Sequence, residues 1–280
     1  MSIYQIITDK ILAELKNGII PWARPWKSHY QPPTNWISGR PYHGINRLLL
    51  EWNGQYASYQ QITSAGGQVR KGAKAKIIVF WKPLKEKEQT EADPKPLKFC
   101  LRYYSVFEIG VDTEGIERRD LPTLNSIGGD ELICPYLKEG PALAHGYPGA
   151  SYDAISDAIR MPAVSNFKNS DHYLKVLFHE AIHSTGHPDR LNRSLKQRSE
   201  DLKAYAKEEL AAEIGSAFLL HRAGLDSEEL FKQNTAYIQS WLRALEDNPM
   251  LIIPAASMAQ KAVELITSYS GVLVEDHPAA

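Results

Sequence analysis

Residues 174–187 read Leu-Lys-Val-Leu-Phe-His-Glu-Ala-Ile-His-Ser-Thr-Gly-His, with histidines at 179 and 183, four positions apart. On a helix that spacing puts side chains one turn above each other on the same face, so two imidazoles can reach one ion. Glu180 stands beside the first of them, where a carboxylate can take the proton that a Lewis-acidic metal has loosened from water. The five-residue pattern also arises by coincidence on solvated helices. Its neighbours argue against coincidence, because Leu174, Val176, Leu177, Phe178, Ala181 and Ile182 make most of the helix circumference apolar. Paired imidazoles in a protein interior need a reason, since burying polar groups is costly. A helix over 171–185 with His179 and His183 as metal ligands and Glu180 as general base is therefore the expectation around which the rest is read.

A catalytic zinc usually takes three protein ligands. Residues 207–220, KEELAAEIGSAFLL, place Glu209 and Glu213 four apart on a second predicted helix, 206–221, whose opposite face (Leu210, Ile214, Ala217, Phe218) is core-like. This arrangement resembles the glutamate zincins, in which a downstream Glu binds the metal and an acidic or amide side chain one turn later orients a ligand histidine. That likeness makes Glu209 the third ligand and Glu213 the orienting group, with Glu208 the nearest competitor for the ligand role. A rival exists: HEAIHSTGHPD also fits H-E-x-x-H-x-x-G-x-x-D, which resembles a minority form of the metzincins and would make Asp189 the ligand. Metzincins also carry a methionine turn, and neither Met250 nor Met258 lies in an obvious tight turn, so Glu209 is preferred. His187 reads either as a substrate contact or as a helix-end histidine favoured by the dipole. One divalent ion is expected, zinc by default, with manganese or cobalt acceptable to the same donors.

Working outward, the net charge of -1 hides an asymmetry. Residues 1–110 hold 16 Lys+Arg against 8 Asp+Glu, a balance of +8, and the remainder balances at -9. Two parts with different partners is the economical reading, with polyanions drawn to the first. No window approaches a membrane span, and the N-terminal residues interleave charge where a signal peptide would have an apolar block, so a cytoplasmic protein is expected. Cys100 and Cys134 are too few for a disulfide framework and are expected to be ordinary buried thiols.

Residues 3–16 carry Ile3, Ile6, Ile7, Ile11, Leu12 and Leu15 at helical spacing. The next segment is rich in Trp, Pro and Gly and alternates aromatic with basic residues. Two strands, from Lys76 to Trp81 and within LKFCLRYYSVFEI, flank a polar loop, KEKEQTEADPKP, and predict a small antiparallel sheet. Periodicity fades from 111 to 139, and helices follow, with short strands near Tyr152 and Ala163 and later helices near 226–247 and 255–269. The expected architecture is α+β: a basic N-terminal domain over 1–115, a linker or irregular connection over 116–139, and a mostly helical metallopeptidase-like domain over 140–280. Five of six tryptophans, Trp22, Trp26, Trp36, Trp52 and Trp81, precede residue 110 among basic side chains. Aromatic faces beside cations suit single-stranded DNA, because every base has a π face and phosphates follow Lys and Arg. The DNA-contact candidates are Trp22, Arg24, Trp26, Arg40, Tyr42, Asn46, Arg70, Lys71, Lys74 and Lys76. Any one tryptophan could equally fill a core.

The blocks ITDKILAELKNGIIPWARPW, GRPYHGIN, GGQVRKGAKAKIIVFWK, YYSVFEI, ASYDAISDAIRMP, HEAIHSTGHPDRLNR and AYAKEELAAEIGSAFL, in that order, resemble the ArdC-type antirestriction proteins of mobile elements, whose N-terminal domain also occurs in TraC-type primases. The resemblance implies a sequence-tolerant single-stranded DNA-binding domain joined to a zincin-like metallopeptidase domain, acting to protect incoming DNA from restriction. Two departures stand out: SYQQITSAGG where a Trp-Leu-Thr run is expected, and Glu108 where Asn commonly follows the Val-Phe segment. The implied functions divide into a metallopeptidase with an unidentified protein substrate, a DNA-coating module with a structural or vestigial metal site, and a regulatory protease that cleaves a repressor.

Overall fold

The structure is a computed structural model that describes residues 1–23, 31–83, 99–121, 126–193, 195, 199–225, 228–231 and 235–271. Helix α1 (Ile3–Lys16) opens the chain, with the Ser2 side chain accepting from the Gln5 N–H at 3.2 Å. Then come β1 (Thr34–Asn35), α2 (Asn46–Leu49), β2 (Gln55–Ala57), α3 (Tyr59–Ser64), β3 (Gln68–Val69), β4 (Lys76–Pro83), β5 (Phe99–Glu108) and β6 (Thr113–Glu114). The strands form a four-stranded sheet in the order β1-β2-β5-β4 and a β3-β6 pair. The expected antiparallel pair is present as β4 and β5, in register from Lys76 opposite Val106 to Pro83 opposite Phe99. The polar loop foreseen between them lies outside the described residues.

The second half begins with α4 (Gly129–Glu139), continues through β7 (Ala142–His145), β8 (Ser151–Asp153) and β9 (Ala158–Met161), and then through α5 (Ser170–Ser184), α6 (Leu202–Arg222), α7 (Glu228–Phe231), α8 (Thr235–Asp247) and α9 (Ile252–Tyr269). In their sheet β9 is central, parallel to β7 and antiparallel to β8, which leaves β8 at an edge against α5. The mixed α+β reading therefore holds, with two corrections of detail. The end of the supposed irregular connection folds as α4 and buries Leu132, Ile133 and Tyr136; its glycine start and internal Pro135 had obscured the helical pattern. Cys134 is exposed on the outer side of that helix and Cys100 is half-buried, so neither is a core thiol.

One apolar cluster runs through both halves, from Ile7 and Trp22 to Phe178, Phe218 and Ile266. Helix α1 packs on α8, and the Thr8 hydroxyl donates to the Pro249 carbonyl at 2.7 Å. The Arg47 guanidinium, 2% exposed, donates through Nε to the Tyr42 carbonyl and lies over the rings of Trp52 and Phe218 at 5.9 and 5.5 Å. Two π faces and a carbonyl thus stand among the groups that replace the water of this buried cation. Among the described residues no single helix is long and apolar enough to cross a membrane.

Candidate metal centre and nucleic-acid surface

Asn169 caps α5 by accepting from the His172 N–H at 3.0 Å, and the helix then carries His179 and His183 on one face. Their Nε2 atoms lie 3.2 Å apart. Two nitrogens, each about 2.0–2.1 Å from a tetrahedral ion, stand roughly 3.3 Å apart, so the pair is spaced for one metal. Helix α6 supplies Glu209, whose Oε2 and Oε1 lie 3.6 Å from the Nε2 atoms of His179 and His183. The three donor atoms fall within 4.8 Å of one another. Helices α5 and α6 come this close because residue 215 is glycine: a Cβ there would stand 2.7 Å from Cδ1 of Ile182. The Ser216 hydroxyl donates to the Lys175 carbonyl at 3.0 Å across the same contact.

The outer nitrogens are held too. His183 Nδ1 lies 3.3 Å from Glu208 Oε1, and His179 Nδ1 lies 3.9 Å from Glu213 Oε1. An Nδ1–H directed at a carboxylate leaves the Nε2 lone pair for an ion. Glu208 is itself gripped by Arg193, whose Nη2 and Nε donate to its two oxygens at 2.6 and 3.0 Å. Burial raises the Glu208 pKa, but hydrogen bonds from His183 and Arg193 outweigh it and bring it down to about 2. Glu213 accepts from the Tyr237 hydroxyl of α8 at 2.8 Å.

Glu180 faces the same space and is buried. Desolvation raises its pKa, against the pull of the two histidines. Burial lowers the His179 pKa, but the carboxylates of Glu209, Glu213 and Glu180 outweigh it and lift it to about 9. Tyr152 belongs to β8, which Arg190 ties to α5: its Nε donates to the Ser184 carbonyl at 2.8 Å, and its Nη atoms reach Asp157 and the Tyr152 hydroxyl. Arg193 likewise donates to the Ile182 carbonyl at 2.8 Å, so two guanidiniums satisfy carbonyls of the last turn, where cations are favoured.

The structure thus brings His179, His183, Glu180, Glu209 and Glu213 together. Asp189 is 89% exposed and pairs with His187 at 3.6 Å, apart from the three-donor cluster. Glu208 lies at the rear of His183. Sequence reading missed this role for Glu208 and missed Arg190 and Arg193; the available signal was basic residues directly after a helix end, in HPDRLNR.

The nucleic-acid candidates separate. Trp22 is 2% exposed and meets Trp241 edge-on at 6.2 Å. Tyr42 is buried, and Asn46 exchanges hydrogen bonds with the Val79 backbone at 2.8 and 2.9 Å. The Trp22 side chain therefore belongs to the core, Tyr42 is packed beneath Phe80, and Asn46 holds β4. Arg24 and Trp26 lie outside the described residues. Lys76 pairs with Glu108 at 3.1 Å and Asp112 at 3.4 Å, and Arg70 pairs with Glu114 at 3.3 Å. Glu108 also accepts from Arg118 at 2.7 Å, so this departure from the expected Asn anchors cations internally. Arg40, Lys71 and Lys74 are exposed. Phe80, Trp81, Tyr103 and Tyr104 on β4 and β5 are half-exposed or nearly so, beside exposed Lys82 and Arg102. Of these aromatics only Trp81 was singled out from sequence; the signal for the others was aromatic residues at strand positions that a one-sided sheet would make polar.

Residues 1–107 match a family model described as the N-terminal domain of anti-restriction factor ArdC, and residues 136–258 match one described as a zincin-like metallopeptidase. A DNA primase TraC of Escherichia coli is 29% identical over 98% of this chain, which spans 28% of that primase's length. An uncharacterized protein, y4eC, of Sinorhizobium fredii is 31% identical over 94% of this chain and 91% of its own. The metal-free crystal structure of antirestriction protein ArdC from plasmid R388 aligns with a TM-score of 0.73 at 33% identity, over 97% of this chain and 98% of that one. The Mn(II)-bound structure of that protein aligns with a TM-score of 0.75 at 32% identity, over 98% of this chain and all of that one.

Proposed function

We propose, from the premise that this chain belongs to the ArdC antirestriction family, that it protects the entering DNA of a mobile element by binding single strands and by metal-dependent peptidase chemistry. The observation that carries the reading is the convergence of His179, His183 and Glu209 on one point, with Glu180 facing it. The donor set suits zinc; it also accepts manganese, the metal in the R388 relative, or cobalt. With an ion held by those three residues, the centre gains a Lewis acid that polarises a peptide carbonyl and acidifies water. Glu180 takes a proton from the attacking water and passes it to the departing amine. Glu208 and Glu213 face the outer nitrogens of His183 and His179, which leaves the inner nitrogens toward the ion site. A protein is the substrate class.

Single-strand binding is supported by the +8 balance of residues 1–110, by the exposed aromatic and basic side chains of β4 and β5, and by the primase relatives. We assign DNA to the first 115 residues and the metal to residues 140–280, in a protein working in the cytoplasm.

The test is the Glu180→Ala variant beside wild type, with bound metal, single-strand binding and protection of incoming DNA measured for both. The expected variant keeps its metal and its DNA affinity and loses protection. A variant that protects as well as wild type would replace the peptidase reading with a DNA-coating one.

A further inference from the structure

Between the two halves lies a cleft of about 590 Å³, within the range of small-ligand sites. One wall is the segment around residues 35–46 with the end of β4, and the other is one face of α9. The walls meet closely at Gly44, whose N–H donates to Oε1 of Gln260 at 3.3 Å. Aromatic surface dominates the first wall: Phe80 packs against buried Tyr42 at 6.3 Å, yet it and Trp81 leave about half their surface uncovered. The opposite wall is polar. Gln260 Nε2 donates to Glu264 at 2.9 Å, and His43 Nδ1 lies 3.7 Å from the same carboxylate oxygen. Exposed cations belong to both walls, Arg40 to the first and Lys261 to α9. Arg102, opposite Phe80 in register, and Lys82, two residues along the same strand face, carry positive charge outward from the cleft.

The exposed Phe80 ring, a facing row of hydrogen-bonding groups and cations on both walls match the three parts of a nucleotide: ring face, base edge and phosphate. We propose that this cleft receives one unstacked base of single-stranded DNA, its ring on Phe80, its edge toward Glu264, His43 and Gln260, and its flanking phosphates on Arg40 and Lys261. This deepens the single-strand reading above and rests on it, but it extends the DNA site onto α9, a helix of the half that carries the metal centre. Helix α9 packs on α6, which bears Glu208 and Glu209, so the strand would touch both halves at once.

The experiment uses the full chain and a fluorescent dT20 oligonucleotide, with a second dT20 carrying a single 5-iododeoxyuridine for photo-crosslinking. Phe80→Ala should weaken binding by about tenfold, the loss of one stacking platform. Lys261→Glu should weaken it by about three- to tenfold, with a shallower salt dependence. Both variants should melt as wild type does, and the photo-adduct should map to a peptide containing Phe80 and Trp81 or to α9. If wild type binds the oligonucleotide while both variants bind equally well and the adduct maps elsewhere, the cleft is overturned and the single-strand reading stands. If wild type does not bind, both are overturned.

Discussion

At the metal centre one helical turn sets the Nε2 atoms of His179 and His183 3.2 Å apart, whereas in the basic first third one residue type goes to opposite places, Trp22 at 2% exposure and Trp81 at 50%. The contrast is between short-range and long-range determinants. Residues four apart on a helix are neighbours whatever the rest of the chain does. A tryptophan's fate depends on what arrives to cover it, and Trp22 is covered by Trp241 from the far half of the sequence. Composition can therefore mark a region as interactive without telling which of its aromatics face outward.

The largest expected effect sharpens that contrast. Trp22→Ala should destabilise the fold by about 3–5 kcal/mol, as large core truncations do, while Trp81→Ala should leave the melting temperature nearly unchanged and lower single-strand affinity by about 1–3 kcal/mol. Thermal melts and fluorescence anisotropy measure the two; equal melting losses would erase the distinction between them. At the metal centre, Glu208→Gln should weaken divalent-metal binding by about 10–100-fold, as loss of a supporting partner does, and His183→Ala should weaken it further. Calorimetric titration with Mn(II) and Zn(II) checks the order, and a Glu208→Gln variant that binds as wild type would remove Glu208 from the support of His183.

Most of the secondary structure was legible because its signals are local. The apolar repeat of α1, the paired strands β4 and β5, and the apolar faces of α5 and α6 need only a few neighbouring residues to be recognised. Strand β7 has four residues and no alternation against water, so nothing marked it. The glutamates were half legible. Consecutive residues on a helix point about 100° apart, so Glu208 and Glu209 cannot face the same side of His183, but sequence does not say which faces the ion. Arg193 holds Glu208 behind His183, away from the three-donor cluster, and that contact is made by a loop. Passage of one core through both halves was hidden for the same reason as the place of Trp22.

The smallest effect concerns the tie between β8 and α5. The Arg190 hydrogen bond is the chief influence on Asp157 and, against burial, holds its pKa below the ordinary aspartate value. A carboxylate with a depressed folded pKa adds stability that is present above its unfolded pKa and lost as pH falls through the folded one. Arg190→Met should therefore lose up to about 1 kcal/mol at neutral pH and show a flatter loss of stability below about pH 4. Melting curves from pH 3 to 7 measure the slope, and an unchanged acid limb would show that Asp157 does not draw its stability from Arg190.

The continuous core that joins α1, α2 and β4 to α6, α8 and α9 bears on heredity as well as on stability. A recombination point between the halves would strand Trp22, Arg47 and Phe218 without their partners and leave each fragment with a wide apolar face open to water. The Escherichia coli primase, more than three times as long, aligns with 98% of this chain, across both halves of that core.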